Sequence, residues 1–164
     1  MDEIVLIAYF ISLSILFVFG LHGFVMIFYY NKYRGVINTP KKETDDKLVT
    51  IQLPLYNELY VVERLIDKVC EIDYPKDKLD IQVLDDSTDE TVQITAKKIA
   101  EKQSEGFDIK HIRRENREGF KAGALKAGLK FAKGEYVAIF DADFIPHKDF
   151  IKKTLSFFND EKIG

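Results

Sequence analysis

The stretch Tyr136-Val-Ala-Ile-Phe-Asp-Ala-Asp143 decides the fold, because five apolar residues run straight into two carboxylates spaced two apart. With Gly134 in front of it, Tyr136 to Phe140 reads as a fully apolar strand. In extended backbone, residues two apart point to the same side, so Asp141 and Asp143 can both face one divalent ion. The competing use of such a pair is a turn or a helix cap. Position favours the metal, since Mg²⁺ takes one or two carboxylates and completes its shell with substrate phosphates and water.

Working outward, Lys121 to Lys133 is helical by propensity despite Gly123 and Gly128, and Ile109 to Ile112 is a strand. Ser87 and Glu90 have capping-box spacing, which predicts a helix from Thr88 to about Ser104. Leu79 to Leu84 forms another strand. Val61 to Cys70 carries Val61, Val62, Leu65, Ile66 and Val69 on one helical stripe, and Tyr74-Pro75 breaks the chain after it. Leu48 to Leu53 has the β-branched content of a strand, with Pro54 as its predicted stop. Downstream, Asp149 to Phe158 forms a last helix begun after Pro146. The order β-α-β-α-β-α-β-α predicts an α/β fold, a parallel sheet flanked by helices with ligands bound beyond the carboxyl ends of the strands.

Polar clusters follow each strand. Tyr56-Asn57-Glu58 follows the first, Asp85-Asp86-Ser87 the second, Arg113 to Lys121 the third and Asp141-Ala142-Asp143 the fourth. Four loops are thereby predicted to meet on one rim. Tyr56 can stack on a planar base or stand as an ordinary loop tyrosine. Of Asp85 and Asp86, one can accept hydrogen bonds from a base or ribose while the other orients the loop. Lys121 stands two residues after Gly119, at a helix N-terminus that favours an anion, and there it would reinforce diphosphate binding. Arg113, Arg114 and Arg117 form a solvated loop face from which one arginine can reach the ligand.

The 164-residue chain divides sharply by composition. Ile4 to Tyr30 contains no Asp, Glu, Lys or Arg, whereas the remainder is an ordinary charged globular sequence. As a helix this apolar stretch is roughly 40 Å long, against about 30 Å of bilayer hydrocarbon. It opens with Asp2 and Glu3 and ends without an A-x-A pattern, which predicts a retained anchor rather than a cleaved signal. Lys32, Arg34, Lys41 and Lys42 follow it, so the positive-inside bias places the N-terminus outside and the soluble domain in the cytosol. The lone cysteine, Cys70, suits that reducing side and reads as a small buried helix residue. His22 falls deep in the span, where a packed neutral ring is the ordinary use. The expected organisation is a membrane helix over 4–30, a polar linker over 31–47 and a ligand-binding domain over 48–164. A formal net charge of −3, from 24 Lys+Arg against 27 Asp+Glu, excludes a nucleic-acid partner, and the composition excludes disorder and disulfide scaffolds.

Four strings, taken in order, resemble family 2 glycosyltransferases: Gln52-Leu-Pro-Leu-Tyr-Asn-Glu58, Ile81-Gln-Val-Leu-Asp-Asp-Ser-Thr-Asp89, Asn116-Arg-Glu-Gly-Phe-Lys-Ala-Gly-Ala-Leu125 and Val137-Ala-Ile-Phe-Asp-Ala-Asp-Phe144. Within that family the pattern is similar to the cellulose synthase superfamily, in particular the cellulose-synthase-like types that make β-mannan or the β-glucan backbone of xyloglucan. It covers about Val49 to Ile163. The resemblance implies a GT-A fold with a Rossmann-like nucleotide-binding half, a nucleotide-sugar donor (UDP-glucose or GDP-mannose), a glycan acceptor, a divalent metal (Mg²⁺ or Mn²⁺) and inverting transfer at the cytosolic face of a membrane. Tyr56 and Glu58 match the donor motif near the base, Asp85 the aspartate of the base and ribose region with Asp86 its neighbour, Lys121 the diphosphate lysine, and Asp141 and Asp143 the metal motif.

The resemblance also places the family's catalytic base, an aspartate of a T-E-D-type motif, and its Q-x-x-R-W motif further downstream than Gly164. The expectation is therefore the donor-binding half of a membrane-anchored transferase, as a truncated product or fragment, with other synthase subunits as possible partners. The alternatives are a non-catalytic nucleotide-sugar-binding subunit and a family 2 enzyme that transfers sugar to a lipid phosphate.

Overall fold

The structure, a computed structural model, describes residues 2–35 and 46–159, so most of the expected 31–47 linker and the last five residues lie outside the described residues. The chain divides into two units, Met1–Thr39 and Pro40–Gly164.

The first unit is one helix, α1 (Asp2–Tyr33), of 32 residues. Its described side chains are exposed all round, and over Glu3–Tyr33 it is long and apolar enough to cross a membrane. Its two serines donate their hydroxyls back to the helix, Ser12 Oγ to the Ala8 carbonyl at 2.9 Å and Ser14 Oγ to the Phe10 carbonyl at 2.8 Å. That satisfies groups an apolar medium could not.

The second unit is a four-stranded, all-parallel sheet of β1 (Val49–Leu55), β2 (Leu79–Asp85), β3 (Ile109–Ile112) and β4 (Tyr136–Ile139), in the order β3-β2-β1-β4. Helices α2 (Val62–Cys70), α3 (Thr91–Ser104), α4 (Phe120–Leu129) and α5 (Phe150–Leu155) connect or follow the strands. A 3-10 turn at Lys76–Lys78 leads into β2, and another at Ser156–Asn159 extends α5. Because all strands are parallel, their carboxyl ends share one rim. Succession runs outward from β1 to β3 and then jumps back to β4 on the other side of β1, so a crevice opens at that switch point.

The main core joins Ile51, Leu53, Ile81 and Val83 of the sheet with Val62, Leu65, Ile66 and Val69 of α2 and Ile99 of α3. The neighbouring strand positions, Thr50, Gln52, Asp80 and Gln82, are polar and equally buried, and they bond mostly to one another. Asp80 accepts from Thr50 Oγ1 at 2.9 Å, from Gln82 Nε2 at 3.3 Å, from the Lys133 amide at 3.1 Å and from the Lys110 ammonium. The Gly134 amide donates to Thr50 Oγ1 at 2.8 Å. Helix α4 can lie close to these groups because Gly128 has no side chain: a Cβ there would sit 2.6 Å from Gln52 Nε2 and 2.8 Å from Leu84 Cδ2.

Several local expectations are corrected. Pro54 lies inside β1, opposite Leu84 of β2. The Gln52 carbonyl accepts from Phe140 while the Leu55 carbonyl accepts from Asp86, so alternation turns Pro54 toward β4, whose pairing with β1 has ended at Gln52. Its missing N–H costs no ladder bond. The Ser87/Glu90 capping box does not form: α3 starts at Thr91, and Ser87 Oγ instead accepts the Asn57 amide at 2.9 Å. Helix α4 stops at Leu129 rather than Lys133, because the Lys133 and Gly134 amides are taken by Asp80 and Thr50. Strand β4 ends at Ile139 rather than Phe140, and its Val137 and Ile139 side chains are exposed.

Candidate functional site

The crevice between β1 and β4 is a cleft of about 340 Å³, within the usual range of ligand pockets. Of the seven sequence-predicted site residues, Tyr56, Glu58, Asp86, Lys121, Asp141 and Asp143 line it. Asp85 does not; it lies behind the wall at 1% exposure.

The β1 side is built on a turn. Asn57 takes a left-handed conformation, φ +56°, which asparagine tolerates better than most residues. Its amide donates to Ser87 Oγ, and its side-chain oxygen accepts the Thr88 amide at 2.9 Å. The turn thereby presents Tyr56 and Glu58 on either side of Asn57. The Arg117 guanidinium lies 3.2 Å from the centroid of the Tyr56 ring, a cation–π contact at the cleft wall.

Asp86 is held by a two-pronged ion pair with Arg114, whose Nε reaches Oδ1 at 3.0 Å while Nη2 reaches Oδ2. The same guanidinium donates to the Glu118 carbonyl at 2.8 Å and the Phe120 carbonyl at 3.0 Å. Those carbonyls bracket a turn in which Gly119 (φ +68°) and Phe120 (φ +49°) are both left-handed. For phenylalanine that is a strained geometry, and Arg114 holds it. The turn delivers Lys121 into the cleft, where its ammonium bonds the Asp141 carboxylate.

Behind the wall, Asp85 Oδ1 accepts the Ser87 amide at 2.8 Å and Oδ2 meets His111 Nε2 at 2.8 Å. Burial pushes the Asp85 carboxyl up, but the hydrogen bonds from His111 and Ser87 outweigh it and hold the group below the usual carboxylate range. The carboxylate is an acceptor, so His111 Nε2 carries the proton.

On the β4 side, Asp141 and Asp143 are exposed, and the backbone between them is not extended as predicted. The Phe144 amide donates to the Asp141 carbonyl at 3.0 Å, closing a turn over Asp141–Phe144. Both carboxylates still line the cleft. Among the described residues no three His, Cys, Asp or Glu side chains gather into a metal cluster. The donor set is two hard oxygen groups, which fits a cation whose remaining ligands come from phosphate and water.

Sequence reasoning passed over Asn57, His111 and the clamp made by Arg114. Asn57 carried a signal, since asparagine between two site residues favours a left-handed turn. His111 and Arg114 lay on a strand and loop whose partners only the folded chain reveals.

A parallel sheet with its cleft at the switch point, lined by carboxylates and a lysine, defines an open α/β protein of the kind that takes ligands beyond the carboxyl ends of its strands. The chain belongs to glycosyl transferase family 2, whose model matches residues 50–164. It is 47% identical over 114 residues to probable glucomannan 4-beta-mannosyltransferase 7 of Oryza sativa subsp. japonica, covering 67% of this chain and 20% of that one. It is also 47% identical over 114 residues to glucomannan 4-beta-mannosyltransferase 2 of Arabidopsis thaliana, with 67% and 21% covered. The chain thus spans about a fifth of the length of these curated relatives. Among solved structures it is similar to the mannosyltransferase PcManGT of Pyrobaculum calidifontis in complex with GDP-Man and Mn²⁺. There the TM-score is 0.70 at 32% identity, over 84% of this chain and 41% of that one. S. aureus TarS 1-349 in complex with UDP-GlcNAc gives a TM-score of 0.60 at 28% identity, over 70% and 32%. The expected GT-A-type fold is borne out by these neighbours and by the parallel sheet itself.

Proposed function

We propose that this chain is the donor-binding part of a membrane-anchored mannosyltransferase that takes GDP-mannose and extends a β-linked glycan by inverting transfer. The observation that carries the proposal is the meeting of Tyr56, Glu58, Asp86, Lys121, Asp141 and Asp143 on one cleft at the switch point. GDP-mannose is preferred to UDP-glucose because the curated relatives are named as mannosyltransferases and the PcManGT complex holds GDP-Man. Neither a non-catalytic subunit nor a lipid-phosphate acceptor is favoured by these relatives.

In this reading the base lies against the Tyr56 and Arg117 pair, and Glu58 and Asp86 accept hydrogen bonds from base and ribose. Lys121 neutralises diphosphate charge, aided by the N-terminus of α4. Asp141 and Asp143 would hold a divalent cation, Mg²⁺ or Mn²⁺, which would supply Lewis-acid stabilisation of the leaving diphosphate. Lys121 then exchanges its Asp141 partner for phosphate oxygens. The glycan hydroxyl attacks the anomeric carbon from the face opposite the diphosphate as the bond to the diphosphate breaks, and its proton passes to the aspartate base that the family resemblance implies outside this donor-binding part. Helix α1 serves as the anchor, with the N-terminus outside and the domain cytosolic, supported by its length and by the basic residues that follow it.

Calorimetric titration of the full chain in detergent with GDP and UDP, with and without Mn²⁺, tests this directly. The expected result is Mn²⁺-dependent binding of GDP in preference to UDP. Binding of neither nucleotide by folded protein refutes the donor site, and preference for UDP refutes the mannosyl donor.

A further inference from the structure

The residues that touch the cleft are held in place by a second row that does not touch it. Four hydrogen bonds run in series along the base side. His111 Nε2 meets Asp85 Oδ2 at 2.8 Å, and the Ser87 amide donates to Asp85 Oδ1 at 2.8 Å. The Asn57 amide donates to Ser87 Oγ at 2.9 Å, and the Thr88 amide donates to Asn57 Oδ1 at 2.9 Å. The series begins on β3, crosses the end of β2 and finishes at the turn after β1. Asp85 and Ser87 are fully buried in it. Arg113 adds a parallel tie from its guanidinium to the Ser87 carbonyl at 2.9 Å.

The end of the series matters because of what it fixes. Asn57 sits in a left-handed conformation between Tyr56 and Glu58, and such a conformation persists only where its surroundings over-determine it. Two of the bonds that do so come from Ser87 and Thr88. Ser87 is in turn held by a buried carboxylate through its amide and its hydroxyl, and His111 is the partner that ties that carboxylate to β3. A buried carboxylate deprived of a donor rotates toward another or takes up water, and either response loosens the amide it was holding.

Building on the donor-site reading above, we infer that His111 is a positioning residue for the cleft, setting the Tyr56–Glu58 turn through Asp85, Ser87 and Asn57. His111 lines none of the cleft and touches no donor atom in this role. It acts by keeping Asp85 pointed at Ser87.

The test uses the full chain in detergent, with GDP and Mn²⁺ as probe, and the variants His111→Ala, His111→Gln, Ser87→Ala and the double variant His111→Ala/Ser87→Ala. His111→Ala and Ser87→Ala each weaken GDP binding roughly tenfold, and the double variant is no worse than about twice either one, because both cut one series. His111→Gln, whose side-chain N–H reaches the position of the histidine Nε2, recovers most of the affinity. Amide hydrogen exchange gives a readout independent of nucleotide: His111→Ala speeds exchange at Asn57, Ser87 and Thr88 by about tenfold and leaves the β1 and β2 ladder amides unchanged. Additive losses in the double variant, or exchange raised evenly through β2 and β3, overturn the inference in favour of a general stabilising role. If wild-type protein binds no nucleotide, the donor-site reading fails, and the exchange pattern still decides whether His111 governs the turn.

Discussion

The two walls of the cleft are built differently. The wall at β1 and β2 is cross-linked before any ligand arrives, with Asp86 locked to Arg114, Asn57 tied to Ser87 and Thr88, and Asp85 buried against His111. The wall at β4 is open: Asp141 and Asp143 are exposed on a turn, and Asp141 has the Lys121 ammonium as partner. In the proposed reading, one wall receives a rigid, planar group, and the other is completed by ions and phosphate. Preorganisation is thus spent where shape is read, and adaptability is kept where charge is neutralised.

That contrast can be broken by substitution. The largest effect on folding should come from Asp86→Ala, which strands a largely buried guanidinium and unlatches the Glu118–Phe120 turn; a loss of about 3 kcal/mol is expected in denaturant titrations. A loss below about 1 kcal/mol would show that this wall is no better fixed than an ordinary surface ion pair. Asp141→Ala/Asp143→Ala should do the reverse. Metal-dependent nucleotide affinity falls by about a hundredfold, near 2.7 kcal/mol, while stability stays within about 0.5 kcal/mol, as read by calorimetry and thermal melting.

Acid sharpens the same comparison. Asp80 and Asp85 are both held below the usual carboxyl value of 3.8, burial being outweighed by bonds from Lys110, the Lys133 amide and Thr50 in one case and from His111 and Ser87 in the other. Since they are more acidic folded than unfolded, the stability they contribute is complete above about pH 4 and is lost as pH falls through their folded values. A melting series from pH 7 downward should show this acid loss, and Asp80→Asn should diminish it. The smallest effect is expected from Arg117→Ala, which removes the cation–π contact with Tyr56 and should weaken nucleotide binding about threefold with stability unchanged.

Much of this was legible in the sequence, for definite reasons. The alternation of strands and helices is written in apolar spacing, and a parallel order brings the loop after each strand to one rim whatever the details of packing. Six of seven site residues therefore reached the cleft. What was not legible depends on partners distant in the chain. Thr50 and Gln52, alternating with Val49, Ile51 and Leu53, have the form of a solvent face, yet Gln52 is buried because Gly128 admits α4 and Thr50 because Lys133 and Gly134 close over it. Ser87 and Glu90 satisfy the spacing of a capping box, but Asn57, thirty residues earlier, takes the serine hydroxyl. Asp85 and Asp86 are adjacent, and a strand turns neighbours to opposite sides; which of them faced the cleft depended on where Arg114 and His111 stood.

The bonds from Asp80 and Thr50 to the Lys133 and Gly134 amides bear on the order in which the domain assembles. Val49 of β1 pairs with Leu79 and also with Tyr136, and the second pairing closes a far longer loop of chain at greater entropic cost. Its docking socket, the paired Thr50 and Asp80 side chains, exists only once β1 and β2 lie side by side. Strand β4 is accordingly expected to join last, on a template that the earlier strands complete. Tyr136→Ala or Ala138→Gly, at the β4 residues that pack against the core, should then quicken unfolding in stopped-flow experiments while the folding rate stays near its original value.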